Sequence, residues 1–325
     1  MNRTVRVVVL IAGFAAIGVL VARLGPRLLL DLLTRVGWHI LPIMAVYAAH
    51  VLMRAVSLWS VIVDRRVRFA DVLRVRLAAE AVEVLTYTGP FLAEPAKGWL
   101  LTRRGLSATE AFAAVATEYL LYTTVSAALA LFGFTAIATT AALPPSARPF
   151  AIMTAAAMAA FLIAFVFAAI SGIGLIAPIL RSLGPVIGRS RALHAATAFT
   201  PIEQLLIDFL HTRPARLVWV LVTEVIGHAL FVVEIWIVFA ALDVSFSLHD
   251  AVVFEGGTKI GAVAFFYIPG QVGASEAMYA ALARAIGVSA SIGLTLALIR
   301  RLRSLAVASV GLLTLSIADR RTAPP

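Results

Sequence analysis

The sequence predicts an all-α, polytopic membrane protein: about six spanning helices plus two re-entrant helical hairpins arranged as inverted repeats. Three observations lead there. Charged residues are scarce, long apolar runs are many, and two apolar segments are broken by glycine, proline and ionisable residues.

Of 325 residues, 62% are hydrophobic and 14% charged, where a soluble domain carries about 25% charged residues. Mean hydropathy is +0.98. A run of about 18 apolar residues is long enough to cross the hydrocarbon core. Residues 119–148 carry no charge between their ends, and 149–180 carry none. Residues 217–242 are broken only by Glu224, His228 and Glu234, and 36–63 only by His39, His50 and Arg54. Residues 288–317 are interrupted by Arg300, Arg301 and Arg303. The run 7–22 follows Arg3 and Arg6, and Arg23-Leu24-Gly25-Pro26 after it offers no small-x-small cleavage site, so a retained first helix is expected. Only helices and closed barrels satisfy their backbone in lipid, and these runs are too long for barrel strands. One integral membrane domain over 1–325 is expected, with no soluble unit.

The net charge is +10 and cysteine is absent, which excludes disulfides and thiolate metal sites. Excess arginine in such a chain follows from the positive-inside rule and from anionic lipid headgroups, the expected partners, rather than from nucleic acid. Arg65, Arg66, Arg68, Arg74 and Arg76 crowd one loop region; Arg181, Arg189, Arg191, Arg213 and Arg216 crowd the stretch 181–216. Residues 143–149 hold Arg148 alone, and 243–250 hold no Lys or Arg. This bias places both termini in the cytoplasm and the protein in the inner membrane. The stretch 23–35, with three arginines, fits that topology poorly. Within the 181–216 linker, Thr200-Pro201-Ile202-Glu203 reads as a capping box opening an amphipathic helix carrying Ile202, Leu205, Leu206, Phe209 and Leu210, expected on the inner membrane surface.

Two segments do not read as ordinary spans. Residues 77–101 contain Glu80, Glu83, Glu94 and Lys97 with Gly89-Pro90 and Pro95. Residues 251–287 contain Glu255, Lys259, Pro269, Gly270, Gly273 and Glu276. The first has basic flanks on both sides, the second has neither, so one hairpin enters from each face. The two also resemble each other. Glu94, Gly105, Ser107 and Glu118 fall opposite Glu276, Gly287, Ser289 and Arg300 at a constant offset of 182. The repeats span about 65–142 and 247–317. Inverted repeats with Gly/Pro-broken segments are the sequence pointer to a transporter whose site lies at the bilayer midplane.

An ionisable residue in hydrocarbon costs about 2.5–3.5 kcal/mol on insertion scales. The candidates for binding a substrate are therefore Glu94, Lys97, Glu118, Lys259, Pro269, Gly270, Gly273, Glu276, Arg300 and Arg301. Guanidinium groups take phosphate bidentately, which is the use expected of Arg300 in a lipid-handling protein; Arg301 and Arg303 read equally well as snorkelling to headgroups. Glu276 either caps a helix start or pairs with a base such as Arg300 or Lys259. Glu224 and His228 share a helix face, and no third metal ligand accompanies them. No catalytic motif, cofactor or metal site is found.

The stretch Phe265-Phe266-Tyr267-Ile268-Pro269-Gly270-Gln271-Val272-Gly273-Ala274-Ser275-Glu276-Ala277-Met278-Tyr279 is followed by Gly287-Val288-Ser289 and Leu298-Ile299-Arg300-Arg301-Leu302-Arg303. Together these resemble the lysylphosphatidylglycerol synthase transmembrane-region, or flippase-like, family. Gly89-Pro90, Glu94-Pro95-x-Lys97, Gly105-Leu106-Ser107 and Glu118 look like its first half. The nearest look is to stand-alone members associated with hopanoid biosynthesis, although Gln271 departs from the family's usual glycine and Ser275-Glu276-Ala277 from the pattern of those members. The resemblance implies a lipid transporter or flippase moving a polar or polycyclic, hopanoid-like lipid across or out of the inner membrane. A membrane-embedded transferase on lipid-linked substrates, or a non-catalytic subunit of an envelope-lipid assembly, are the alternatives. Homo-oligomers or envelope-lipid biosynthesis partners fit the same reading. Lysyl transfer is not expected, because the aminoacyl-transferring domain of the bifunctional members has no counterpart here.

Overall fold

The structure, a computed structural model, describes residues 22, 26–63, 67–86, 90–140, 148–265, 271 and 273–317. Every regular element among them is helical. The chain opens with α1 (Pro26–Val36), a 3-10 turn (Gly37–His39), α2 (Ile40–Val61), α3 (Phe69–Thr86), α4 (Pro90–Thr102) and α5 (Ala108–Thr140). It continues through α6 (Arg148–Ser171), α7 (Ile176–Ser182), α8 (Gly184–Ile187) and α9 (Arg189–Thr212). It closes with α10 (Pro214–Ala241), α11 (Leu248–Ala264), α12 (Ala274–Ala285) and α13 (Ala290–Ile317). The protein is therefore an all-α polytopic membrane protein.

Four helical stretches are long and apolar enough to cross a bilayer: Thr34–Val61, Ala108–Ile137, Ile152–Ser171 and Pro214–Ala241. They account for four of the six spans expected. A fifth, α13, has 28 residues, about 42 Å of helix, but carries three arginines. The sixth, 7–22, lies outside the described residues apart from Ala22. Burial is inverted relative to a soluble protein. Leu41, Trp59, Ile163, Ile170, Trp219 and Trp236 are exposed, while Arg54, Lys97, Glu118, Glu234 and Glu255 are buried. An apolar exterior is what hydrocarbon solvates.

Both broken segments are hairpins of short helices. α4 has 13 residues and α12 has 12, about 20 and 18 Å, so neither crosses the roughly 30 Å core alone. Each turns into the following long helix through a glycine in the left-handed region, Gly105 at φ 98° and Gly287 at φ 79°. Ser107 and Glu110 then form the reciprocal capping box expected at the start of α5. At the start of α13 Ser289 instead shares a hydrogen bond with Ser291.

The interior is built by three long helix pairings: α10 on α2, α13 on α3, and α11 on α5. The central pair runs antiparallel. His50 Nδ1–H reaches the Gly227 carbonyl and Ser57 reaches Glu224, while Tyr47 lies against Phe231, so ascending numbers on α2 meet descending numbers on α10. The other two pairings depend on glycine, which lets backbones approach closely without a side chain between them. A Cβ on Gly256 would sit 2.5 Å from the Leu129 carbonyl oxygen, and one on Gly311 would sit 2.1 Å from that of Leu77.

Two sequence expectations are corrected. Arg74 and Arg76 belong to α3 rather than to a basic loop, and Arg76 is buried. The Thr200 capping box does not start a helix, because Pro201 lies inside the continuous α9. The Thr200 hydroxyl donates to the Ala196 carbonyl instead. Glu203 reaches across to accept the Ile176 and Ala177 backbone N–H groups at the start of α7. Its carboxylate caps a neighbouring helix, where free N–H groups and the helix dipole both favour it. The amphipathic pattern itself holds for Leu206, Phe209 and Leu210, which are buried, while Leu205 faces outward.

Gly256→Val and Gly311→Val should each lower stability by about 1–3 kcal/mol by overpacking a backbone contact. Thermal unfolding of the detergent-solubilised protein checks this; an unchanged midpoint for both would mean the α5–α11 and α3–α13 contacts are looser than described.

Candidate functional site

Two buried ion networks lie inside this apolar bundle. The first is centred on Glu118 in α5. Its Oε1 accepts from Arg54 Nε of α2 at 2.7 Å, and its Oε2 accepts from Lys97 Nζ of α4 at 2.9 Å. Lys97, itself fully buried, also meets Glu94 at 2.7 Å. Glu224 of α10 approaches Arg54 to 3.8 Å and accepts from the Ser57 hydroxyl. The Arg54 guanidinium lies 3.7 Å over the Tyr122 ring.

The second network is centred on Arg300 in α13. Arg300 donates to Glu234 of α10 at 2.9 Å, to Glu255 of α11 at 2.7 Å and to the Tyr279 hydroxyl of α12 at 2.9 Å. Lys259 meets Glu255 at 2.7 Å, and Arg303 meets Glu234 at 2.7 Å. The Phe231 ring faces three of these cations, Lys259, Arg300 and Arg303. A smaller pair joins the halves. Tyr47 of α2 donates to Glu80 of α3, Arg76 pairs with the same carboxylate, and Arg303 stacks 3.7 Å over the Tyr47 ring.

Formal charge does not balance within either network. The second joins three bases, Lys259, Arg300 and Arg303, to two acids, Glu234 and Glu255, leaving one positive charge in excess. The first joins two bases, Arg54 and Lys97, to three acids, Glu94, Glu118 and Glu224, leaving one negative charge in excess. Atoms without a hydrogen-bond partner occur on both signs: Glu94 Oε2 and Glu224 Oε2 in the first network, and Glu234 Oε1, Glu255 Oε1, Arg303 Nε and Arg303 Nη1 in the second. An ion pair deep in low dielectric is held mainly by the desolvation that separating it would leave unpaid on each charge.

Eight of the ten candidate residues are described; Pro269 and Gly270 lie outside the described residues. Glu94, Lys97 and Glu118 come together in one network, Lys259 and Arg300 in the other. Glu276 both caps and pairs. It accepts from the Gly273 backbone N–H at 2.8 Å, opening α12, and meets Arg301 at 2.8 Å. Its partner is thus neither Arg300 nor Lys259, because both are held by Glu255 on α11. Arg301 and Glu276 are partly exposed, at 17% and 16% of their side chains.

The Glu224 and His228 side chains do not join. His228 Nδ1–H donates to Glu224's backbone carbonyl at 2.8 Å, and its ring packs against Tyr122. Among the described residues no group of three or more His, Asp or Glu stands close enough to hold a metal ion. Tyr279 and Arg76 escaped the sequence reading. Tyr279 had a signal: it stands 182 residues after Lys97, and each contacts the centre of its own network. Tyr47 and Phe231 had none.

An apolar helical exterior around buried, sign-paired networks defines a polytopic membrane protein with a charged interior. The family described as Lysylphosphatidylglycerol synthase TM region matches residues 5–311, and the chain belongs to it. That family marks a membrane protein acting on lipids. No curated protein and no solved structure matches the chain.

Glu234→Gln should destabilise the protein by about 3–5 kcal/mol, since Arg300 and Arg303 both lose a buried counter-charge. Glu276→Gln, at a partly exposed pair, should cost about 1 kcal/mol. Comparative unfolding in detergent decides between them; equal losses would mean burial is not what sets the energy.

Proposed function

We propose that the protein translocates a lipid, passing its polar headgroup through the charged interior while the acyl or polycyclic part stays in the bilayer. The observation that carries this reading is the relation between the two networks. Glu118 and Arg300 are 182 residues apart, as are Lys97 and Tyr279, which bind them from the short hairpin helices. The antiparallel central helices then supply a partner of opposite charge to each: Arg54 of α2 to Glu118, and Glu234 of α10 to Arg300.

On this reading the repeat unit is four helices, α2–α5 and α10–α13, longer at its start than the 65–142 and 247–317 read from sequence. Its halves face opposite leaflets. α13 packs on α3 and α11 on α5, each half lending its helices to the other. Alternation between two equivalent arrangements is the mechanism such symmetry supports. The mixed signs suit a headgroup exchanging hydrogen bonds with resident ion pairs better than a pore for one ion. No step of this mechanism breaks a covalent bond, so the reading is non-enzymatic. The α9 segment lies on the cytoplasmic surface of the inner membrane, with its arginines at anionic headgroups.

Purified protein in liposomes carrying a headgroup-labelled phospholipid should increase the fraction of label reached by an impermeant quencher over protein-free liposomes. Arg300→Ala should reduce the rate about tenfold or more. Equal leaflet exchange by wild type, Arg300→Ala and empty liposomes would contradict the reading.

A further inference from the structure

We propose that Glu224 is a proton-binding site, and that a proton taken up there from one side of the membrane and released to the other drives the movement of the lipid. The proposal rests on the lipid-translocation reading and adds its energy source. Glu224 has no role in that reading otherwise.

Glu224 stands apart from the other members of its network. Arg54, Glu94, Lys97 and Glu118 lie on α2, α4 and α5, in one half, while Glu224 comes from α10, in the other. The residue is 1% exposed. Its Oε1 accepts from the Ser57 hydroxyl, while Oε2 has no hydrogen-bond partner and faces Arg54 Nε at 3.8 Å. Arg54 is committed elsewhere, giving Nε and Nη2 to Glu118 at 2.7 and 2.5 Å.

Three acids meet two bases in this network, so one proton closes the count. Low dielectric makes an unbalanced charge expensive, and a group that can neutralise does so. Elimination places the proton. Guanidinium and ammonium already hold all theirs. Glu118 is held by Arg54 and Lys97 together. Glu94 pairs with Lys97 at 2.7 Å, and its side chain is partly exposed, at 16%. A histidine could add positive charge instead, but His50 stands among Arg54, Arg76 and Arg303, and His228 Nε2 has no acceptor for a new N–H. Glu224 remains, and its partner suits both of its states. A hydroxyl donates and accepts, so Ser57 serves a carboxylate as donor and a carboxylic acid as acceptor.

The elements packed on α10 complete the surroundings. α2 faces Glu224 with Arg54 and Ser57, and α5 with Glu118 and with Tyr122 against Arg54. Arg76 of α3 acts from further off and is paired with Glu80. Glu255 and Lys259 of α11 and Arg300 and Arg303 of α13 belong to the second network around Glu234, further along α10. Among the described residues no charged group of α9 or of the 3-10 turn pairs with Glu224.

Proton occupancy thus sets the charge across the α2–α10 contact between the halves. With Glu224 neutral, Arg54 stays with Glu118 in its own half. With Glu224 ionised, carboxylates on opposite halves compete for one guanidinium. The step makes and breaks a single O–H bond on the carboxyl group, with the proton drawn from and returned to water. Acids inside spans serve as proton relays in transporters for this reason.

Two measurements on the purified full-length protein test this. Infrared difference spectra in detergent, taken between about pH 4 and about pH 9, should show the C=O stretch of a buried carboxylic acid that Glu224→Gln removes. In sealed liposomes carrying a headgroup-labelled phospholipid, an imposed gradient of about one pH unit should shift the label between leaflets up to about tenfold, the value for one proton per lipid. Glu224→Gln should make that distribution indifferent to the gradient. Glutamine has the shape of the protonated acid and can keep the Ser57 contact, so the variant should unfold no earlier than wild type; a clearly lower midpoint would mean the fold needs the ionised form and would overturn the proposal. Identical infrared spectra from the two proteins would overturn the proton site. A Glu224 band with wild-type exchange indifferent to the gradient would overturn the coupling and leave translocation standing. The same band with no lipid exchange at any gradient would overturn translocation and leave the proton site.

Discussion

A charged side chain that leaves water for hydrocarbon must take its counter-charge with it, and this constraint shapes the whole interior. Arg54, Lys97, Glu118, Glu234, Glu255 and Arg300 lie on different helices of the bundle and are almost completely buried. Each costs several kcal/mol alone and far less when paired. The pairs therefore dictate which helices touch. Arg54 and Glu118 tie α2 to α5, and Glu234, Glu255 and Arg300 tie α10 and α11 to α13. Glycines at Gly133, Gly256 and Gly311 then allow backbones close enough for those short contacts to form.

The same constraint connects stability to function. The two networks are each one charge out of balance, in opposite senses, and atoms without a hydrogen-bond partner remain in both, on carboxylates and on a guanidinium. Groups held that way can be recruited by a ligand at little reorganisation cost, because the ligand completes hydrogen bonds that the protein left open. Aromatic rings from Tyr47, Tyr122 and Phe231 lie against the cations Arg303, Arg54 and Lys259. On the proposed reading, a polar headgroup crosses by exchange of partners among resident pairs rather than by exposure of bare charge to lipid.

The membrane class and most spans were legible because hydrocarbon selects long apolar runs, and such runs are local in sequence. The short broken hairpins were legible from Gly, Pro and Glu inside apolar stretches. Pairing was not. Arg54 finds Glu118 across 64 residues and Arg300 finds Glu234 across 66, and nothing local encodes either choice. Arg76 was hidden by its neighbours, since five arginines between 65 and 76 read as one loop while α3 had already begun at Phe69. The Thr200 box misled for the converse reason. Its local pattern is correct for a helix start, yet Glu203 is drawn away to the free N–H groups of α7.

The inverted arrangement of the two halves is the claim on which the account turns, and the absence of cysteine makes it directly measurable. Ser107 and Ser289, both exposed, stand at equivalent turns 182 residues apart. Cysteine at each position in turn, probed with a membrane-impermeant maleimide in sealed vesicles of known orientation, reports the face it occupies. The account predicts labelling of the two from opposite sides; labelling of both from one side would contradict it.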